Sequence, residues 1–337
     1  MKFAHSLTAL LVACCLALPA RAVDIDARLP GNRFMEIRLP NADGSTHDLA
    51  AGPDGNVWVT QIAPAQLVRV TPISETRRYP LPKASAPHGI VFDQAGRLWV
   101  SLEARHTLAQ VDMKTGRVLK EFSLSNENHR EIGPHGLAVG KDGKTLWFAG
   151  KSGNVVGKLN PDTGEVTLYP LPNPDSKPIY VSPDREGNVW YTALEGAAVG
   201  FVNPDGFMFE FPVPEGSGRP ITIVPDPNLP LMWFSLENGG LFASVDVAGN
   251  MSAYSVSKAN MKLAGLGFDG AGQLWLTAQS PDMIALVKKD MSITEWPLPT
   301  ERAVLHRIIL GPQGNMWFTE LAKDKVGYVV DTAGYGK

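Results

Sequence analysis

The chain is short of cysteine, of long apolar runs and of clustered positive charge, and each shortage removes a class of function. Its two cysteines, Cys14 and Cys15, both lie within the first 22 of 337 residues. A chain cleaved after Ala22 has no disulfide, and about 315 residues must then hold together through core burial and ladder hydrogen bonds. The apolar stretch Leu7 to Leu18 is too short for a membrane span, which needs roughly 20 residues. Without Lys2 and Arg21 the balance is 29 basic against 34 acidic residues, a net charge of −5. No basic cluster stands out, so nucleic acid and anionic membrane surfaces are poor partners. No nucleophile motif, phosphate loop or cofactor fingerprint is evident, because none of the Gly-rich turns opens a helix.

What the N-terminus does have is an export pattern. Met1-Lys2 is a short basic start, the apolar stretch follows, and Ala20-Arg21-Ala22 gives small residues at a cleavage site. Leu11-Val12-Ala13-Cys14 resembles a lipobox, but the apolar run continues past Cys14 through Leu18, which favours cleavage after Ala22 over lipidation. Residues 1–22 are thus expected to be a secretory signal peptide. Residues 23–337 are expected to form one periplasmic or secreted domain, as a monomer.

Seven of the eight tryptophans recur at nearly fixed intervals: Trp58, Trp99, Trp147, Trp190, Trp233, Trp275 and Trp317. Their gaps of 41, 48, 43, 43, 42 and 42 residues mark a repeat architecture. One unit, residues 87–126, reads as four short strands broken by Asp93 to Gly96, a polar loop, and Lys114-Thr115-Gly116. That is one antiparallel propeller blade. The fourth strands share a phrase: Tyr79-Pro80-Leu81-Pro82, Tyr169-Pro170-Leu171-Pro172, Phe211-Pro212-Val213-Pro214 and Trp296-Pro297-Leu298-Pro299. Proline suits the outer edge, where it donates no ladder bond and discourages pairing with other chains. The tryptophans are expected to pack between sheets with each indole N–H on a partner. Trp is followed by Val, Phe, Tyr or Leu and never by Asp, which disfavours WD repeats. The seventh unit lacks a fourth strand, and the missing phrase stands at Phe34 to Pro40. The expected fold is therefore all-β, a seven-bladed β-propeller of four-stranded antiparallel blades, closed by residues 33–40.

The start of a first strand and the end of a second strand lie at the same end of a hairpin. At the first position stand His47, His88, His135 and His306, with Ile179 and Ala264 in two other blades and the fifth blade ambiguous between Arg219 and Ile221. Four of the chain's seven histidines thus share one repeat position. They either line a ligand site or cap strand starts by bonding backbone carbonyls. Three residues after each Trp stand Gln61, Leu102, Gly150, Ala193, Leu236, Ala278 and Glu320, with Glu103 and Glu237 one place later. His306 and Glu320 are expected to meet across one hairpin, close enough to share a proton or metal. His47, His88, His135 and Glu103 are the candidate channel lining.

The phrases Ala86-Pro87-His88-Gly89-Ile90, Gly52-Pro53-Asp54-Gly55-Asn56-Val57-Trp58, Gly311 to Glu320 and Val326-Gly327-Tyr328 resemble the repeat of the streptogramin B lyases, the virginiamycin B lyase family. The resemblance covers residues 33 to 337. It implies a seven-bladed propeller that opens a cyclic depsipeptide at its ester by elimination, with Mg2+. A base removes a proton α to the ester carbonyl and the metal stabilises the enolate-like charge. Matched residue by residue, His306 takes the place of the catalytic histidine and Glu320 that of the metal-associated glutamate. Val304 stands where the family has a second glutamate, and Ala264 where it has a histidine at the start of the preceding blade. Three functions follow. The first is a carbon–oxygen lyase using His306 and Glu320. The second is a non-catalytic propeller binding a small molecule or peptide in its funnel. The third is a metal-dependent lactonase, for which Asn56, Asn188 and Asn315 sit on the wrong rim.

Overall fold

The computed structural model describes residues 33–40, 44–256 and 261–330, so the expected signal peptide lies outside the described residues. Seven four-stranded antiparallel sheets hold all the strands among them. The first blade shows the order, inner to outer: Thr46–Ala51, Val57–Gln61, Gln66–Val70 and Thr76–Pro80. Each inner strand packs beside the inner strands of both neighbouring blades, and that of blade 7 meets that of blade 1. Interior residues of the sheets pack face to face between blades. Trp58, Leu67 and Tyr79 of blade 1, for example, share one cluster with Leu98, Val100 and Ala109 of blade 2. No helix among the described residues is long and apolar enough to cross a membrane.

The tryptophans pack as expected, and most indoles have a specific partner. An aspartate in the hairpin turn accepts the indole N–H in five blades: Asp54 for Trp58 (3.2 Å), Asp93 for Trp99 (2.9 Å), Asp184 for Trp190 (3.0 Å), Asp226 for Trp233 (2.8 Å) and Asp269 for Trp275 (2.9 Å). The same carboxylates catch backbone N–H groups of the turn, as Asp93 does for Arg97. One residue therefore closes the turn and anchors the core. Blade 7 has Gly311 at that place, and the Trp317 indole nitrogen is buried without a partner. The aromatic of the fourth-strand phrase stacks on the Trp of its own blade: Tyr79 on Trp58 at 5.0 Å between centroids, Tyr169 on Trp147 at 5.8 Å, and Trp296 on Trp275 at 5.9 Å. Trp296 thus does the work of the Tyr it replaces. Pro80, Pro170, Pro212 and Pro297 end their outer strands in exposed positions.

The ring closes as the displaced phrase predicts. Phe34–Arg38 pairs antiparallel with Lys325–Val329, running from Phe34 opposite Val329 to Arg38 opposite Lys325. The Leu39 amide then donates to the Asp324 carbonyl (2.7 Å). The Asp324 carboxylate accepts the amides of Gly44 (2.6 Å) and Ser45 (3.0 Å), tying the end of blade 7 to the start of blade 1.

An axial histidine cluster as the candidate functional site

Every inner strand carries the same irregularity near its start. In blade 2, Pro87 lies opposite Leu102 and Ile90 opposite Val100, so His88 and Gly89 together face Ser101. Equivalent shifts occur in the other six blades. One extra residue in one strand bends it and re-aims its side chains, and here the re-aimed residue is the one at the histidine position. In blades 2, 3 and 6 the residue after it is a glycine, and there no side chain fits. A Cβ on Gly89 would lie 2.6 Å from the His135 carbonyl oxygen, and one on Gly136 would lie 2.5 Å from that of Ile179.

A belt of hydroxyls locks these bulges together. In six blades the residue two after the Trp donates to the carbonyl of the histidine-position residue in the next blade. Thr60 reaches His88 (2.7 Å), Ser101 reaches His135 (2.8 Å), Thr192 reaches Ile221 (2.8 Å) and Thr319 reaches His47 (3.1 Å). Ile221 is therefore the fifth-blade residue that the sequence left ambiguous. Blade 3 has Ala149 at the hydroxyl position, and there His135 Nδ1 takes the free Ile179 carbonyl instead (3.0 Å). The belt was visible in the sequence as Ser or Thr at a fixed offset from Trp, but its hydrogen-bond partners lie one blade away.

The four histidines converge on the axis. The His47 ring lies 4.4 Å from His88, 5.1 Å from His135 and 4.4 Å from His306, and His88 lies 4.5 Å from His135. The carbonyl-capping reading holds for two of them, because Nδ1 of His88 and of His135 each meet a backbone carbonyl at 3.0 Å. Glu103 joins the group, with Oε2 2.9 Å from His88 Nδ1 and Oε1 3.7 Å from Lys151 Nζ. Burial alone would raise the Glu103 pKa; the His88 hydrogen bond and the charges of His88 and Lys151 outweigh it and hold the carboxyl below its usual range. Burial, and then mutual repulsion, lowers His47 and His135 well below the ordinary histidine value. His306 falls to about 4, chiefly by burial, although Asp48 pulls the other way. His47, His135 and His306 are therefore uncharged at neutral pH.

Beneath the imidazoles lies a polar pair that sequence reasoning missed. Arg307 donates to Asp48 (2.8 Å), joining blade 7 to blade 1, and its guanidinium stacks 4.4 Å over Tyr180. The space enclosed by these groups with His47, His135 and His306 is about 20 Å3, enough for one water or ion. A groove of about 590 Å3 lies elsewhere, lined by Asp142, Trp147, Lys158 and Glu186. Asn56 and Asn188 bond Asp54 and Asp184 inside hairpin turns, so they serve the turns.

Glu320 is not brought to His306. It pairs with Leu305, one residue before the bulge, and so shares the Leu305 face, packed toward blade 6. There it is fully buried with Glu36 of the closing strand, and Lys325 lies 3.8 Å from Glu36. Burial first, then the Glu36 charge and hydrogen bond, push the Glu320 carboxyl up to about 9 against an ordinary 4.5, Lys325 opposing. A carboxyl raised in the folded state stabilises fully below the unfolded pKa and loses that contribution as pH rises through the folded one. Glu320→Gln has no proton to lose. It is expected to gain on the wild type by up to about 3 kcal/mol at pH 7, and by more at pH 9 than at pH 5. Urea denaturation at the three pH values checks this, and parallel curves for the two proteins would refute a Glu320 carboxyl buried against Glu36.

Comparison with known proteins places this geometry. The virginiamycin B lyase from Staphylococcus aureus has the same fold, with TM-score 0.79 over 88% of this chain and 98% of that one, at 24% identity. A catalytically inactive histidine-to-alanine variant of that enzyme with quinupristin superimposes equally, at 23% identity. In sequence, the virginiamycin B lyase of Nocardia farcinica is 29% identical over 231 residues, 68% of this chain and 76% of the relative. That of Bordetella pertussis is 36% identical over 59 residues, 18% of this chain and 20% of the relative. The sequence model of the virginiamycin B lyase family matches residues 112–335. The chain belongs to that family. Its own residues nevertheless fit poorly with the Mg2+ that the family resemblance implies. A hard cation takes oxygen ligands, whereas the axis presents imidazoles, and the Glu320 carboxyl lies away from it on the blade 6 side, buried against Glu36.

Proposed function

We propose that this member of the virginiamycin B lyase family acts outside the cytoplasm on a cyclic ester or depsipeptide and opens it by elimination, with His306 as the base. The observation that carries the reading is the state of His306. Its imidazole is half-buried among the axial histidines, Nδ1 has no hydrogen-bond partner, and burial keeps the ring unprotonated down to about pH 4. A general base must be unprotonated at its working pH and within reach of the proton it takes. The ring takes a proton from a carbon α to a carbonyl. The C–H electron pair becomes a C=C bond while the neighbouring C–O bond breaks, and the ester oxygen leaves as part of a carboxylate. No atom is lost, so the linear product has the mass of the ring, whereas hydrolysis would add one water.

Quinupristin, present with the inactive Staphylococcus aureus variant, is the test ligand. Ring opening without mass change is expected, and His306→Ala should slow it by about 100-fold or more. The acid limb of kcat/KM should fall near pH 4, not near 6.5. Absence of turnover at stoichiometric enzyme would sink the lyase reading. The placement of Glu320 favours one second reading, a propeller that binds without turnover. It predicts saturable binding of the same compound that weakens in His88→Ala and His135→Ala.

A further inference from the structure

The axial imidazoles are arranged as ligands for a metal softer than magnesium. Each of His47, His88 and His135 offers one nitrogen, and these three nitrogens lie within 4.8 Å of one another. Three nitrogens around a tetrahedral zinc, each at about 2.0–2.1 Å from the ion, lie about 3.4 Å apart. Closing the present set onto an ion thus takes small rotations of side chains and no change of fold. Two of the three tautomers are already set. His88 Nδ1 faces only acceptors, the Ala86 carbonyl at 3.0 Å and Glu103 Oε2 at 2.9 Å, so it carries the proton. His135 Nδ1 faces the Ile179 carbonyl and carries one too. Both rings therefore have an Nε2 lone pair to offer. Metal-binding histidines commonly hold their other nitrogen in this way, on a carboxylate or a backbone carbonyl.

A second observation is independent of those distances. His47 Nδ1 and His306 Nδ1 are buried without any hydrogen-bond partner. Buried polar atoms are nearly always satisfied, and an exception asks for a water or an ion. Asp48 is committed to Arg307, so no free carboxylate stands at the axis to recruit a hard cation. Imidazole donors suit zinc, copper and nickel.

We propose that His47, His88 and His135 form a transition-metal site on the propeller axis, with Glu103 as the positioning residue that orients His88. The site is built from blades 1, 2 and 3, apart from the Glu320 position of blade 7, and does not rest on the lyase reading. His306 stands 4.4 Å from His47, at the edge of the set.

The test uses tag-free, full-length protein stripped with EDTA and titrated with Co2+ alone. One equivalent per chain is expected, with the visible bands of a tetrahedral site that Zn2+ then removes. His88→Ala and His135→Ala should abolish stoichiometric binding, while His106→Ala, outside the cluster, retains it. Glu103→Gln should weaken affinity by about 10–100-fold while leaving the stoichiometry at one, which a merely structural Glu103 would not do. If an alanine variant fails to fold, X-ray absorption of the zinc-loaded wild type should still show three imidazoles at about 2.0 Å. Sub-stoichiometric Co2+, unchanged binding in both alanine variants, an absorption spectrum without imidazole, or displacement by millimolar Mg2+ would each overturn the proposal.

Discussion

A chain shortened to begin at Gly44 is expected to lose its cooperative thermal transition, judged against one that begins at Arg33. The deleted segment supplies the outer strand of blade 7 and buries Phe34, Met35, Ile37 and Leu39, none more than 7% exposed. Full burial of such side chains stabilises by about 1.5–3 kcal/mol each, so four of them amount to roughly 6–12 kcal/mol. Whole domains are stable by only about 5–15 kcal/mol. The loss is compounded because Phe34 packs in the blade 6–7 cluster and Met35 and Ile37 in the blade 7–1 cluster. Both junctions open together. Calorimetry of the two chains decides the matter, and a synthetic peptide of residues 33–40 should restore part of the transition when added in trans. A shortened chain that melts within a few degrees of the longer one would show that closure contributes little.

The metal-free protein is expected to lose stability steeply between pH 6.5 and 5. His47 and His135 are held well below the ordinary value of 6.5, and His306 at about 4, first by burial and then by neighbouring positive charge. In that interval the unfolded chain binds protons that the folded chain refuses. Stability is therefore full above pH 6.5 and falls as the pH falls toward the folded values. Each histidine contributes at most about 1.4 kcal/mol per pH unit. Glu320, raised to about 9, works in the opposite sense over the same interval and offsets one of the three. The net slope is then at most roughly 3 kcal/mol per pH unit, reduced where His135 and His306 keep some contact with water. Urea midpoints in EDTA at pH 7, 6 and 5 measure it. His306→Gln should flatten the curve, and equal midpoints at pH 7 and 5 would contradict three imidazoles held neutral by burial.

The sequence by itself determined the repeat and its closure, because both rest on local chemistry. A strand needs alternation, a turn needs Asp and Gly, an outer edge tolerates proline, and each of these leaves a mark within a few residues. The displaced phrase at Phe34 to Pro40 was readable for the same reason, and so was the sharing of one repeat position by His47, His88, His135 and His306. Only the tertiary structure decided which side chains meet. A regular hairpin would have set Glu320 beside His306; the bulge after Leu305 adds one residue, sends His306 to the axis and leaves Glu320 between blades against Glu36. No residue type marks that bulge in blade 7, where Arg307 stands in place of the glycine found in blades 2, 3 and 6. The Arg307–Asp48 pair, 259 residues apart in the chain, was hidden for a related reason. Periodicity tells which residues occupy equivalent places, but contact across the axis depends on closing the ring, and closure brings together residues with no local relation to one another.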